Sequence, residues 1–159
     1  MNILIKEHEE LLLCLVKHQV EFMLVGGYAV IHYGYERTTG DMDIWLKLSN
    51  NNKEKLTNAL IDFGIEETDI ALLRNMDFNN PLPVFFIGEK PRSIDFITLI
   101  SNLRFEDAIK AVNYFPLGEK KIPVINYNHL ILSKLTSNRM KDKADIEELE
   151  RINKYRKKQ

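Results

Sequence analysis

Asp41 and Asp43 stand one residue apart, downstream of a Gly26-Gly27 pair. Side chains alternate across an extended strand, so the two carboxylates point the same way. Carboxylates aimed together repel each other. A divalent cation such as Mg²⁺ relieves that repulsion through oxygen ligands. The glycines close an apolar run, Phe22-Met23-Leu24-Val25. Lacking a Cβ, they let a phosphate come close to bare backbone. A helix starting there turns its unbonded N–H groups and positive dipole end toward that phosphate. The chemistry implied is phosphate handling with a divalent cation.

A third acid, Asp95, lies in Arg92-Ser93-Ile94-Asp95-Phe96-Ile97-Thr98. This segment has the β-branched and aromatic content of a strand. Alternation puts Ser93, Asp95 and Ile97 on one face, and Ile94, Phe96 and Thr98 on the other. Each part has a plainer reading. A glycine pair marks many turns, Asp-x-Asp marks many solvated edges, and a strand aspartate can simply pair with a nearby Arg or Lys. The joint order carries the inference: apolar strand, glycines, helix, acidic strand, later acidic strand.

The elements that must place these groups follow from periodicity and breakers. Helices are predicted over 5–18, 27–33, 53–63 and 105–112, and strands over 22–25, 42–48, 84–87, 93–99 and 121–125. Ser49 and the three asparagines after it read as turn and cap residues, and Gly64 as a helix stop. The two strands at 84–87 and 93–99 read as antiparallel, joined through 88–91, and residues 79–83 as a loop. The remainder after 125 reads as helical. On the first helix Glu7, Glu9, Glu10 and Lys17 should face outward, and His8 and His18 should be surface residues. His32 is expected in local packing, His129 on a helix face, and Tyr28 is a candidate for stacking on a base. The result is an α+β (α/β) fold: a short mixed sheet flanked by helices, with C-terminal helices packed on it.

The chain has 159 residues, which suits one domain, with a core over 1–115 and a C-terminal strand and helical part over 120–159. Apolar content of 45% and charged content of 28% are ordinary for a globular protein. A formal net charge of −1 gives no global pull toward nucleic acid or acidic membranes. The single cysteine, Cys14, excludes an internal disulfide and a cysteine-based metal cluster, and its apolar neighbours suggest buried packing. No apolar run reaches membrane-span length, and the N-terminus is too acidic for a signal peptide, so the cytoplasm is expected. No Walker loop, dinucleotide fingerprint or serine nucleophile elbow is present.

Taken together, Gly26-Gly27, the spacer 28–40, Asp41-Met42-Asp43-Ile44 and Asp95 resemble the nucleotidyltransferase superfamily, the polymerase-beta-like fold. The C-terminal segment adds to it: Lys134, then Arg139, Lys141, Asp142 and Asp145-Ile146. Small bacterial nucleotidyltransferases end in a similar helix pair, and the layout is similar to abortive-infection-type toxins and lincosamide-type antibiotic nucleotidyltransferases. The likeness spans about 21–149.

The resemblance implies a catalytic and metal-binding trio of Asp41, Asp43 and Asp95, with Mg²⁺ or Mn²⁺ as cofactor. It implies a nucleoside triphosphate as substrate, held by Gly26, Gly27, Arg37 and Lys134. The planar fork of Arg37 suits a phosphate or an active-site carboxylate, or equally a surface role. Lys134 would reach the triphosphate. Asp142 and Asp145 are three apart and share a helix face near its start, where negative charge is favoured. Asp142 would serve as a cap or a supporting group. Asp145 would lock Lys134 or Arg139 in place, and Arg139 itself would support the site or be solvated. The acceptor hydroxyl could belong to RNA such as tRNA, to a protein or to a small molecule such as an antibiotic. The last requires a pocket built with loop 75–83 and the C-terminal helices. The basic tail 151–158 could meet an RNA backbone or be a solvated helix end. A cognate toxin or antitoxin partner, and a homodimer, fit the same class; a membrane does not. The alternative reading is a non-catalytic nucleotide-binding or antitoxin module of the same fold.

Overall fold

A computed structural model describes residues 4–80, 84–89 and 92–159. In chain order the elements begin α1 Lys6–Lys17, β1 Phe22–Val25, α2 Gly26–His32, β2 Met42–Leu46, α3 Asn50–Phe63 and α4 Glu67–Asn75. They continue β3 Phe85–Ile87, β4 Ile94–Ile97, α5 Phe105–Ala108, a 3₁₀ turn Ile109–Ala111, β5 Asn113–Leu117, β6 Lys120–Val124, α6 Tyr127–Leu135 and α7 Met140–Lys157. Six strands form one mixed sheet in the order β3-β4-β2-β1-β6-β5. The architecture is α+β, with helices packed around that sheet.

The central strands are buried because their sequences are continuously apolar. All four residues of β1 are buried, as are Ile44, Trp45 and Leu46 of β2. β1 runs antiparallel to β2 and parallel to β6, while β2 runs parallel to β4. The parallel β2–β4 pairing sets Met42 beside Ile94 and Asp43 beside Asp95. Helix α1 presents a buried stripe of His8, Leu11, Leu12 and Leu15, the i, i+3, i+4, i+7 face of a helix, and packs on α3. Helices α6 and α7 pack on each other, and α6 touches α2.

Several sequence expectations shift. Helix α3 begins at Asn50, not at 53. Ser49 caps it by accepting from the Asn52 N–H at 3.0 Å, so the asparagines lie inside its first turn. Asn52 is buried. Its amide accepts from Glu21 N–H and donates to the Glu21 and Lys47 carbonyls, tying α3 to the ends of β1 and β2. Gly64 ends α3 with φ of +104°, as its sequence position suggested. Helix α4 was not expected; its only buried residues, Ile70 and Leu73, give too thin a stripe to read. The helix expected over 105–112 tightens to 3₁₀ after Ala108. Strand β5, which contains Pro116, was also missed. It is an edge strand, where a missing N–H costs no ladder bond. Strands β3 and β4 pair antiparallel as expected, though 81–83 and 90–91 of the flanking loops lie outside the described residues. Cys14 is only half-buried, packed against the core. Among the described residues no helix is long and apolar enough to cross a membrane.

Candidate functional site

The site grows from the parallel β2–β4 pair. Asp43 and Asp95 are register partners. One step back along each strand, toward its start, Asp41 meets Ser93. The Ser93 backbone N–H donates to Asp41 Oδ1 at 3.0 Å, and the Ser93 hydroxyl lies 3.0 Å from that oxygen and 2.8 Å from Asp95 Oδ1, with one proton to share between the two carboxylates. The result is a two-by-two array on one face of the pair. Three corners are carboxylates and the fourth is a serine, which supplies the donors that carboxylates lack.

Strand β1 delivers the glycines to this array. Val25 is the register partner of Asp43, and the chain turns at Gly26 with φ of +64° into α2. A Cβ on Gly26 would lie 2.0 Å from Asp43 Oδ2, and one on Gly27 would lie 2.4 Å from Thr39 Oγ1. The glycines therefore admit the chain's own carboxylate and hydroxyl against the backbone. The start of α2 has no side-chain cap, and its positive end adjoins Asp43.

The opposite wall comes from α6 and α7. Arg37, in the loop before β2, sends Nη2 to Asp145 Oδ2 at 3.0 Å. Its Nε lies 2.9 Å from Asp145 Oδ1 as an ion pair, though that N–H is not aligned as a hydrogen bond. Lys134 Nζ donates to Asp142 at 3.0 Å and to Asp145 at 2.9 Å. Arg139 Nε donates to Asp142 at 2.9 Å. Lys134, Asp142 and Asp145 are all buried. Burial would raise the Asp142 pKa. Hydrogen bonds from Ser137, Lys134 and Arg139, with the Lys134 charge, outweigh it and hold the carboxyl below its ordinary value.

These walls enclose a cavity of about 520 Å³. Gly26, Gly27, Arg37, Asp41, Asp43, Asp95, Lys134, Arg139 and Asp142 line it, so residues nominated from distant parts of the sequence share one space. Asp145 stands behind them, gripping Arg37 and Lys134. The expected loop 75–83 contributes no lining residue among those described; 99–101 and 136–137 take that place.

Some assignments change. Arg37 spends its fork on a carboxylate, not on open solvent. Lys134 is tied to two aspartates, so it meets a phosphate only as part of that cluster. Tyr28 cannot stack on a base, because it is 2% exposed and its hydroxyl lies 3.0 Å from His8 Nδ1. His8, expected on the surface, is fully buried, with Nε2 3.1 Å from the Arg92 carbonyl. Burial lowers its pKa below the ordinary histidine value. The stripe 8, 11, 12, 15 was the sequence signal for this. Ser93 was placed on the correct face but given no role. His18 stays near the surface beside Asp62, and His32 sits edge-on to Tyr33 and Phe115.

The donors facing the array are all oxygens, the set preferred by Mg²⁺ or Mn²⁺ over softer metals. Among the described residues no group of three or more His, Cys, Asp or Glu side chains forms a ready-made metal cage. Mg²⁺ needs none, since it is commonly held by one or two carboxylates, waters and substrate phosphates. The Asp43–Asp95 rung fits that mode.

No protein-family model matches the chain, and no curated protein is significantly similar to it.

Proposed function

We propose that this protein is a divalent-cation-dependent nucleotidyltransferase, moving a nucleoside monophosphate from a triphosphate to an acceptor hydroxyl. The observation that carries the reading is the Asp43–Asp95 rung set directly against the Gly26 turn. A pair of carboxylates able to hold a cation then lies against the uncapped start of α2, on one shared cavity.

In this reading Asp43 and Asp95, with Asp41 beside them, would hold Mg²⁺, which when bound would supply charge neutralisation to the phosphates. The N–H groups of Gly26 and Gly27 donate to phosphate oxygens. Arg37, with Asp145 fixing its fork, and Lys134 present positive charge to the rest of the triphosphate. Asp95 takes the proton of the attacking acceptor hydroxyl. Positioning and charge supply the rate, since phosphoryl transfer asks little covalent work of a protein. The space beside Leu99, Ser101 and Thr136 receives the acceptor, which is an RNA, a protein or a small molecule.

The test is incubation with each α-labelled nucleoside triphosphate, Mg²⁺ and a cell extract. Label should appear in one acceptor class, and Asp43→Asn should lower transfer at least about a hundredfold with the fold intact by circular dichroism. Equal labelling by Asp43→Asn, or none by the parent with any triphosphate, would overturn the proposal.

A further inference from the structure

We infer that Ser93, and through it His8, are positioning residues that aim Asp41 and Asp95 at the cation. The inference rests on the reading above for the identity of that cation. Its geometry stands by itself.

The carbonyl of Arg92 and the N–H of Ser93 belong to one planar peptide unit. At one end, the carbonyl faces His8 Nε2 at 3.1 Å. At the other, the N–H donates to Asp41 Oδ1 at 3.0 Å. A carbonyl only accepts, so His8 Nε2 must carry the proton. Nδ1 is then an acceptor and takes the Tyr28 hydroxyl proton at 3.0 Å. A single line of donors thus runs from Tyr28 on α2, through His8 on α1 and one peptide, to a carboxylate on the β2 side. Each bond in such a line polarises the next in the same sense. Withdrawing charge at the Arg92 carbonyl strengthens the Ser93 N–H as a donor to Asp41.

The Ser93 hydroxyl closes the array. It is 1% exposed and touches an acid on each strand, Asp41 at 3.0 Å and Asp95 at 2.8 Å. Asp41 precedes β2, so the strand ladder alone does not fix its side chain. Ser93 places a donor between Asp41 and Asp95 and so offsets part of the repulsion between them. With it, both carboxylates wait in place, and cation binding costs less ordering.

The test uses the full chain and Mn²⁺ alone, with free Mn²⁺ read by electron paramagnetic resonance, alongside kcat and KM for nucleotide transfer. Ser93→Ala removes one buried oxygen and keeps the N–H. It should weaken Mn²⁺ binding about tenfold and lower kcat with little change in the triphosphate KM. His8→Leu, which cannot donate to the Arg92 carbonyl, should shift both in the same direction by a smaller factor. His8→Gln, whose amide can donate there, should restore most of the loss. The rescue separates a directed bond from mere filling of the core. If His8→Leu does not fold, the His8→Gln and Ser93→Ala pair still decides. Parent-like Mn²⁺ affinity and kcat in Ser93→Ala would overturn the inference and leave the nucleotidyltransferase reading standing. A His8→Leu variant that melts lower yet binds Mn²⁺ like the parent would remove His8 from it. A parent that binds no Mn²⁺ and transfers no label would overturn both.

Discussion

Arg37 and Asp145, 108 residues apart in the chain, meet at 3.0 Å with side-chain exposures of 12% and 2%. The contact joins the loop before β2 to helix α7. Asp145 also holds Lys134, so one buried carboxylate answers two cations. Removing one partner of such a cluster leaves charge buried and uncompensated. Asp145→Ala should therefore destabilise the fold by about 3–5 kcal/mol, read as a lower midpoint in urea. The exposed pair Arg74–Glu67 is the contrast, and Glu67→Ala should change stability by less than about 1 kcal/mol.

Gly26 and Gly64 separate backbone strain from crowding. Both have positive φ, +64° and +104°, but a Cβ on Gly64 would meet nothing within 4 Å. Gly64→Ala should cost about 1–2 kcal/mol from the left-handed backbone alone. Gly26→Ala adds a clash with the Asp43 carboxylate, so it should cost more and also abolish Mn²⁺ binding. Denaturation and metal titration on the two variants give the comparison.

His8 predicts a pH slope near neutrality. Burial is the main cause of its lowered pKa; the Arg92 carbonyl and the charges of Glu7 and Asp41 oppose it, and Arg92 adds to it. The unfolded chain titrates near the ordinary 6.5 and binds the proton more readily than the fold. Its contribution to stability is thus full above pH 6.5 and is lost as pH falls from there through the lower folded value. The slope is at most about 1.4 kcal/mol per pH unit. Thermal melts between pH 5 and 8 should show it, and His8→Gln should flatten it.

Asp142 acts at the acid end with the same sign. Its folded value lies below the ordinary 3.8, so its contribution is present above that pH and is lost as pH falls through the folded value. Asp142→Asn should remove this portion of the acid transition, read by circular dichroism below pH 4.

The strands nearest the site were legible because their patterns are strong. Phe22–Val25 is unbrokenly apolar, and the joint order of that strand, the glycines, Asp41, Asp43 and Asp95 is rarer than any one of its parts. Gly26 was legible as a special position but not for its immediate reason, since the group filling its missing Cβ comes from another strand. Arg37 and Lys134 were nominated by type and likeness; that both converge on Asp145 is a tertiary fact no local pattern encodes. His8 was misread because a histidine suggests surface, although its helical register lies on the leucine stripe. Ser93 was overlooked because an ordinary serine acquires meaning only from the register of β2 against β4. Strand β5 was missed because it is an edge strand with only Leu117 buried, so no apolar pattern marks it.

Helix α7 supplies both carboxylates that neutralise Arg37 and Lys134. During synthesis a ribosome releases the polypeptide from its amino end. Strands β2 and β4 can therefore pair while α7 is still inside the exit tunnel. At that stage the newborn chain already displays its acids, but the basic wall facing them has nothing to lean on. A nascent fragment halted before Asp142 would carry the acids and the facing cations without the carboxylates that hold those cations in place.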